Sequence, residues 1–361
     1  MAKQRKILII NPFGIGDVLF TTPVIESIKH EIKDCSIGYL CNRRTEPVLR
    51  ANPNVEWVFV YEKDEFRELR RKSLFGYIRK LVSFMMDIRR KGFDTSIDLS
   101  LNREYGLICL LAGIKERIGF NYRNRGSYLT KKTDIEGYSG KHVIEYYLGL
   151  LESAGIKPSV KNIALYIPDE DRQWAKRFLG SNGFIEGEVL VGIAPAGGES
   201  WGKDAGIKHW RSDGYAAAAD RLIEEAKAKV ILLGSAGESS ICDGIKASMR
   251  NRPIEAYGKT SLLQAAALMA ACRLVIANDG GPLHLAVGAG TRTVGIFGPV
   301  DENVYGQYPR DYGRHKAVKE EMSCRPCYRD FRMKDCAERV CLSRIEPETV
   351  FKAAMEALQK G

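Results

Sequence analysis

The stretch VIANDGGPLHLAVGAG, Val275 to Gly290, reads as a strand that turns sharply into a helix. Leu274-Val275-Ile276-Ala277 is a short apolar run of the kind buried in a parallel sheet. Pro282 suits the first helical position, and Gly280 and Gly281 let the backbone turn before it. His284 then falls in the helix's first turn. In a plain strand-to-helix turn, Asn278 or Asp279 would act as N-cap. The same arrangement suits a ligand at the carboxyl end of a parallel strand, where open α/β sheets bind. Both readings stand at this point.

The pattern recurs along the chain. Lys6 to Asn11 is an apolar run followed by a Gly-rich turn and a helical pattern from Val18 to Lys33. Ser36–Leu40, Trp57–Tyr61 and Thr95–Leu99 read as further strands separated by helical segments. A second cycle opens at Val189–Ala194. It continues through the Ala-rich helix Tyr215–Lys227, strand Val230–Leu233, helix Ser261–Ala271, the quoted stretch and strand Thr293–Phe297. The reading is α/β, with residues 1–168 and 169–345 as two Rossmann-like domains. A last helix, 346–361, carries Val350, Phe351, Ala354 and Leu358 on one face and is expected to pack back towards the first domain.

The 361 residues favour two domains, and 45% apolar content supplies real cores. Net charge is +10 and the isoelectric point about 9.0, which suggests an anionic partner without naming it. The basic residues lack the interleaved aromatics of single-strand binders, so no nucleic acid is expected. Met1 to Lys6 leads straight into a strand, unlike a signal peptide, and no apolar run reaches the length of a membrane span. The expected setting is the cytoplasm, with the nine cysteines mostly reduced.

Asn11-Pro12-Phe13-Gly14-Ile15-Gly16-Asp17-Val18 resembles the start of a dinucleotide fingerprint, but Leu19 stands where the third Gly belongs. It also lacks the Gly-Lys-Ser/Thr ending of an ATPase phosphate loop. Asp17 is either a partner of the helix dipole or a carboxylate facing a ligand at a strand end. Gly197 and Gly198, after Ala194-Pro195-Ala196, can offer N–H groups to an anion. Lys208, in Lys208-His209-Trp210, is a candidate for gripping phosphate. Asp169-x-Asp171 matches an acid-x-acid metal motif but sits at a helix start and is read as a cap.

These residues carry a resemblance. ILIINPFGIGDVLFTTPVIESIK, the KHW segment, LLGSAGE, GKTSLLQAAALMAACRLVIANDGGPLHLAVGAGTRTVGIFGP and IEPETV together resemble glycosyltransferase family nine, the heptosyltransferases of lipopolysaccharide core assembly. Asn11-Pro12-Phe13 replaces the more usual Arg-x-Ser there, and Glu62–Gly140 is unfamiliar. The resemblance implies a GT-B architecture, two Rossmann-like domains with parallel sheets facing a central cleft. It implies an inverting, metal-independent transfer from an ADP-sugar. The donor and a lipid-linked anionic acceptor would be the partners, with no cofactor required. Asp17 is the implied base. Gly16, Gly197, Lys208, Asp279, Gly280, Gly281 and His284 are the implied donor site, with the base across the cleft from the phosphate grip.

Arg117, Arg123, Arg125 and His142 are candidates to meet an anionic acceptor, or else solvated loop residues. Arg67–Lys91 holds nine basic and two acidic residues among many apolar ones. It is either a helix packed on its apolar side or a basic element lying on the cytoplasmic face of the inner membrane. Cys324-x2-Cys327-x8-Cys336-x4-Cys341 has spacing tolerable for structural zinc, against free thiols or disulfides. Two other function classes remain open: a nucleotide-dependent epimerase or dehydrogenase, and a non-catalytic nucleotide-sugar binder. The missing third glycine and the lack of a Tyr-x-x-x-Lys pair count against the former.

Overall fold

A computed structural model describes residues 4–197, 199–311, 313–336 and 338–359; of residues 199, 200 and 203 only the backbone is described. Met1 and Gly198, named above, lie outside the described residues. The chain forms two units, residues 1–138 with 143–162, and residues 139–142 with 163–361. The division falls six residues before the expected boundary, at 162/163 instead of 168/169, and a four-residue excursion at 139–142 belongs with the second unit.

The first unit holds a six-stranded sheet of β1 (Arg5–Ile10), β2 (Cys35–Cys41), β3 (Trp57–Val60), β4 (Thr95–Asp98), β5 (Glu116–Tyr122) and β6 (Lys131–Ile135). Its order is β3-β2-β1-β4-β5-β6, with every pairing parallel. The second unit holds β7 (Leu190–Ala194), β8 (Lys229–Leu232), β9 (Ile254–Glu255), β10 (Leu274–Asn278), β11 (Arg292–Phe297) and β12 (His315–Lys319). Its order, β12-β11-β10-β7-β8-β9, is the same doubly wound arrangement, again all parallel. In such a sheet the chain direction reverses beside the first strand. The crevice at the carboxyl ends there is the place for a ligand. The two reversal points are β1/β4 and β7/β10.

The apolar runs explain the cores. Ile7 to Ile10 and Leu274 to Ala277 are fully buried, as central parallel strands covered on both faces require. The helical pattern from Val18 resolves into Ile15–Leu19 and Thr22–Glu31. Pro23 stands at the start of the second, where its missing N–H costs nothing. The basic segment likewise breaks into Lys63–Lys72 and Leu74–Lys91, with the Ser73 hydroxyl accepting from the Gly76 amide at 3.0 Å. Asp169, Glu170 and Asp171 occupy the first turn of helix Asp169–Ser181, but its N-cap is Pro168. They therefore complement the helix dipole without capping it. The final helix, Pro347–Gln359, puts Val350, Phe351, Ala354 and Ala357 into the core of the second unit.

Candidate active site

At the first reversal point the loop after β1 is built by two buried asparagines. Asn11 Oδ1 accepts from the Phe13 amide at 3.1 Å, and its Nδ2 donates to the Asp17 carbonyl at 3.2 Å. Asn42 Nδ2 donates to the carbonyls of Pro12 and Phe13 at 3.0 and 2.6 Å. The loop leads into helix Ile15–Leu19, whose first turn contains Gly16 and Asp17. Asp17 Oδ2 accepts from the Gly14 amide at 3.1 Å, the return half of a capping box. Asp17 is half-buried, at the strand's carboxyl end. It closes the helix start.

Asp98 ends β4 beside Ile10. It is buried and accepts from the Ser100 amide at 2.9 Å. Burial nevertheless pushes its carboxyl up to about 6. A carboxyl raised above its unfolded value favours the fold at low pH, and that contribution is lost as pH rises through 6. Asp98→Asn keeps the acceptor oxygen and removes the buried charge. It is expected to be more stable than the parent at pH 7.5 by about 3 kcal/mol, the gap closing by about pH 3.5. Chemical denaturation at several pH values checks this; a gap that ignores pH would show that the charge is not the cause.

At the second reversal point three loops meet on one buried side chain. Asn278 Oδ1 accepts from the Trp210 amide at 3.0 Å, and Asn278 Nδ2 donates to the Pro195 carbonyl. This ties the end of β10 to the turn after β7 and to the segment carrying Lys208. Lys208 Nζ then lies 2.7 Å from Asp279 Oδ2, with both side chains buried. The ammonium also stands 4.1 Å from the ring centre of Trp201. Lys208 and Asp279 are therefore one buried ion pair, where the sequence suggests two separate contacts.

Gly280 is the N-cap of helix Gly281–Gly288, so neither Asn278 nor Asp279 caps it. Asn278 is spent on the loops and Asp279 on the lysine. The Gly197 amide donates to Glu238 Oε1 at 2.9 Å, and its carbonyl accepts from His209 Nε2 at 2.8 Å. In this structure its N–H is therefore taken by the Glu238 carboxylate. Gly197 has φ +111°, and a Cβ there would stand 3.1 Å from Pro282. It is a glycine because two turns meet there. Burial, with Lys208 nearby, pushes the His284 imidazole down to about 3. At neutral pH it brings a neutral ring to the first turn and adds no positive charge.

The acceptor candidates are less open than expected. Arg117 donates from Nε to the Tyr128 carbonyl at 2.6 Å and from Nη1 to the Lys115 carbonyl at 3.1 Å and the Ile114 carbonyl. Its guanidinium fastens β5 to the following loop. Arg123 and Arg125 are exposed and stand 4.9 and 5.6 Å from the Tyr122 ring centre. His142 is fully buried, donates from Nε2 to the Gly306 carbonyl at 3.1 Å and packs on Tyr308. Burial lowers its pKa to about 3, so it is a core residue of the second unit. All nine cysteines are free thiols. Cys327 and Cys341 are buried while Cys324 and Cys336 are exposed, and Cys327 Sγ turns to the Cys324 carbonyl at 3.2 Å. Among the described residues no three His, Cys, Asp or Glu side chains are arranged to hold a metal.

Asn42, Glu238 and Trp201 are not singled out by the sequence, and Asn278 is read there only as a possible N-cap. Asn278 had a signal, a polar residue closing an apolar strand. Glu238 had another, the Ser235-x-x-Glu238 capping pattern. Asn42 acts on Pro12 and Phe13, 30 and 29 positions away, and leaves no local trace.

The sequence pattern of Glycosyltransferase family 9 (heptosyltransferase) matches residues 81–338. The chain belongs to glycosyltransferase family 9. It is 25% identical over 290 residues to lipopolysaccharide heptosyltransferase 3 of Escherichia coli (strain K12), covering 79% of this chain and 80% of that protein. The crystal structure of a family 9 glycosyltransferase from Veillonella parvula DSM 2008 matches with a TM-score of 0.82 at 24% identity, covering 100% of this chain and 99% of the other. The E. coli ADP-heptose lipopolysaccharide heptosyltransferase II matches with a TM-score of 0.76 at 20% identity, covering 98% and 99%. The fold is GT-B and the protein is a glycosyltransferase, so the epimerase, dehydrogenase and non-catalytic readings fall. Among the described residues no helix is long and apolar enough to cross a membrane.

Proposed function

We propose that this family 9 enzyme moves a heptose from ADP-heptose to a lipid-linked lipopolysaccharide core acceptor, with inversion and without a metal ion. The observation that carries this reading is the buried Lys208–Asp279 pair beside the Gly280–Gly281 turn at the β7/β10 reversal point. A departing nucleoside diphosphate gains negative charge as the sugar bond breaks. A helix N-terminus and a fixed ammonium are suited to receive that charge. Asp279 holds the ammonium in place and can accept from a sugar hydroxyl. His284 can donate one neutral N–H. Asp17 takes the acceptor's proton, and a single displacement then inverts the anomeric carbon.

Thermal shift with ADP, UDP, GDP and NAD tests the donor class, and product analysis with ADP-heptose and truncated lipopolysaccharides tests the transfer. ADP is expected to stabilise selectively, and EDTA to leave the rate unchanged. Selective stabilisation by another nucleotide, or no product from ADP-heptose, would overturn the reading.

A further inference from the structure

Eight large apolar side chains are strongly exposed among the described residues, and seven of them gather on two helices of the first unit. Leu74, Phe75, Ile78, Val82 and Met86 lie on helix Leu74–Lys91, with Phe75 78% exposed. Leu110 and Leu111 end helix Arg103–Leu111. Phe75, Ile78, Val82 and Met86 recur every three or four residues and so form one stripe. The helix has a second apolar side. Tyr77, Leu81, Phe84, Met85 and Ile88 pack into the core of the first unit. Packing therefore accounts for half of this helix's apolar residues and leaves the other half in water. A patch of this kind marks an interaction surface.

Its rim is basic. Arg67, Lys72, Lys80 and Arg90 are paired with Asp64, Glu68, Glu65 and Asp87. Among the described residues Arg71, Arg79 and Arg89 have no carboxylate partner. Arg89 also borders the second helix, because a Cβ at Gly113 would lie 4.0 Å from its Nη1. Arg79 and Arg89 lie one helical turn from Phe75, Val82 and Met86 on the same helix, so unspent charge flanks the apolar stripe.

We propose that this face docks on an anionic bilayer surface, the apolar stripe entering the headgroup boundary and the arginines meeting lipid phosphates. A second copy of this chain is the poorer occupant, since a self-contact would bring two like-charged rims together. The inference uses neither the donor site nor the acceptor sugar.

The test is sedimentation of the full chain with sucrose-loaded phosphatidylcholine vesicles, with and without phosphatidylglycerol, carrying no glycolipid. Pelleting is expected with the anionic vesicles and to weaken with added salt. Arg71→Gln/Arg79→Gln/Arg89→Gln should lower partitioning about fivefold per charge removed. Phe75→Ser/Ile78→Ser should lower it as well, with unchanged circular dichroism and melting because these side chains are exposed. Failure to pellet with anionic vesicles, or pelleting that survives both variants, would overturn the proposal. So would a parent dimer in solution that Phe75→Ser/Ile78→Ser renders monomeric. Because the vesicles hold no acceptor, none of these outcomes bears on sugar transfer.

Discussion

Asp17→Asn is expected to lower kcat at least about a hundredfold while ADP affinity changes by less than about threefold. The acceptor hydroxyl must lose its proton as it attacks, and a carboxylate is suited to take it. Asn has nearly the same shape. Its side-chain oxygen can still accept from the Gly14 amide, the bond that Asp17 Oδ2 makes at 3.1 Å. The loop held by Asn11 and Asn42 therefore keeps its form, and the loss falls on proton transfer. Asp17→Ala also removes the cap contact, so it should add a stability loss of about 1 kcal/mol that Asn does not show. Steady-state kinetics and calorimetry with ADP separate these effects. Near-parental turnover by the Asn variant would reduce Asp17 to a helix-end charge.

The repeated strands and the two turns were legible because they are local. A buried parallel strand is a short apolar run, and a Gly-Gly-Pro turn announces a helix. The strands missed were those whose neighbours supply what their own residues lack. Lys131–Ile135 is a charged edge strand with no apolar signal, as an exposed edge tolerates. Glu116–Tyr122 hides its buried Ile118-Gly119-Phe120 between polar residues, so Arg117 reads as a loop residue. In the site, the residue types were legible and their pairings were not. Lys208 and Asp279 are 71 positions apart, and only the meeting of three loops on Asn278 brings them together. The same limit hid the second face of helix Leu74–Lys91. Apolar spacing shows that a helix has an apolar side, but only packing shows which residues are covered.

The Lys208–Asp279 pair gives the other large effect. Lys208→Met leaves a buried carboxylate uncompensated, and breaking such a pair typically costs about 3–5 kcal/mol. The second unit should therefore unfold at lower denaturant, and ADP affinity should fall by roughly 1.5–3 kcal/mol as a charge-assisted contact is lost. One variant cannot separate the two roles. Lys208→Met/Asp279→Asn removes both charges and should recover most of the stability, because no isolated charge is left in the interior. It should not recover ADP binding, because the ammonium is still missing. Denaturation and calorimetry on parent, both single variants and the double variant form a double-mutant cycle. If stability and ADP affinity return together in the double variant, Lys208 only balances Asp279, and the diphosphate must be held by other groups at the start of helix Gly281–Gly288.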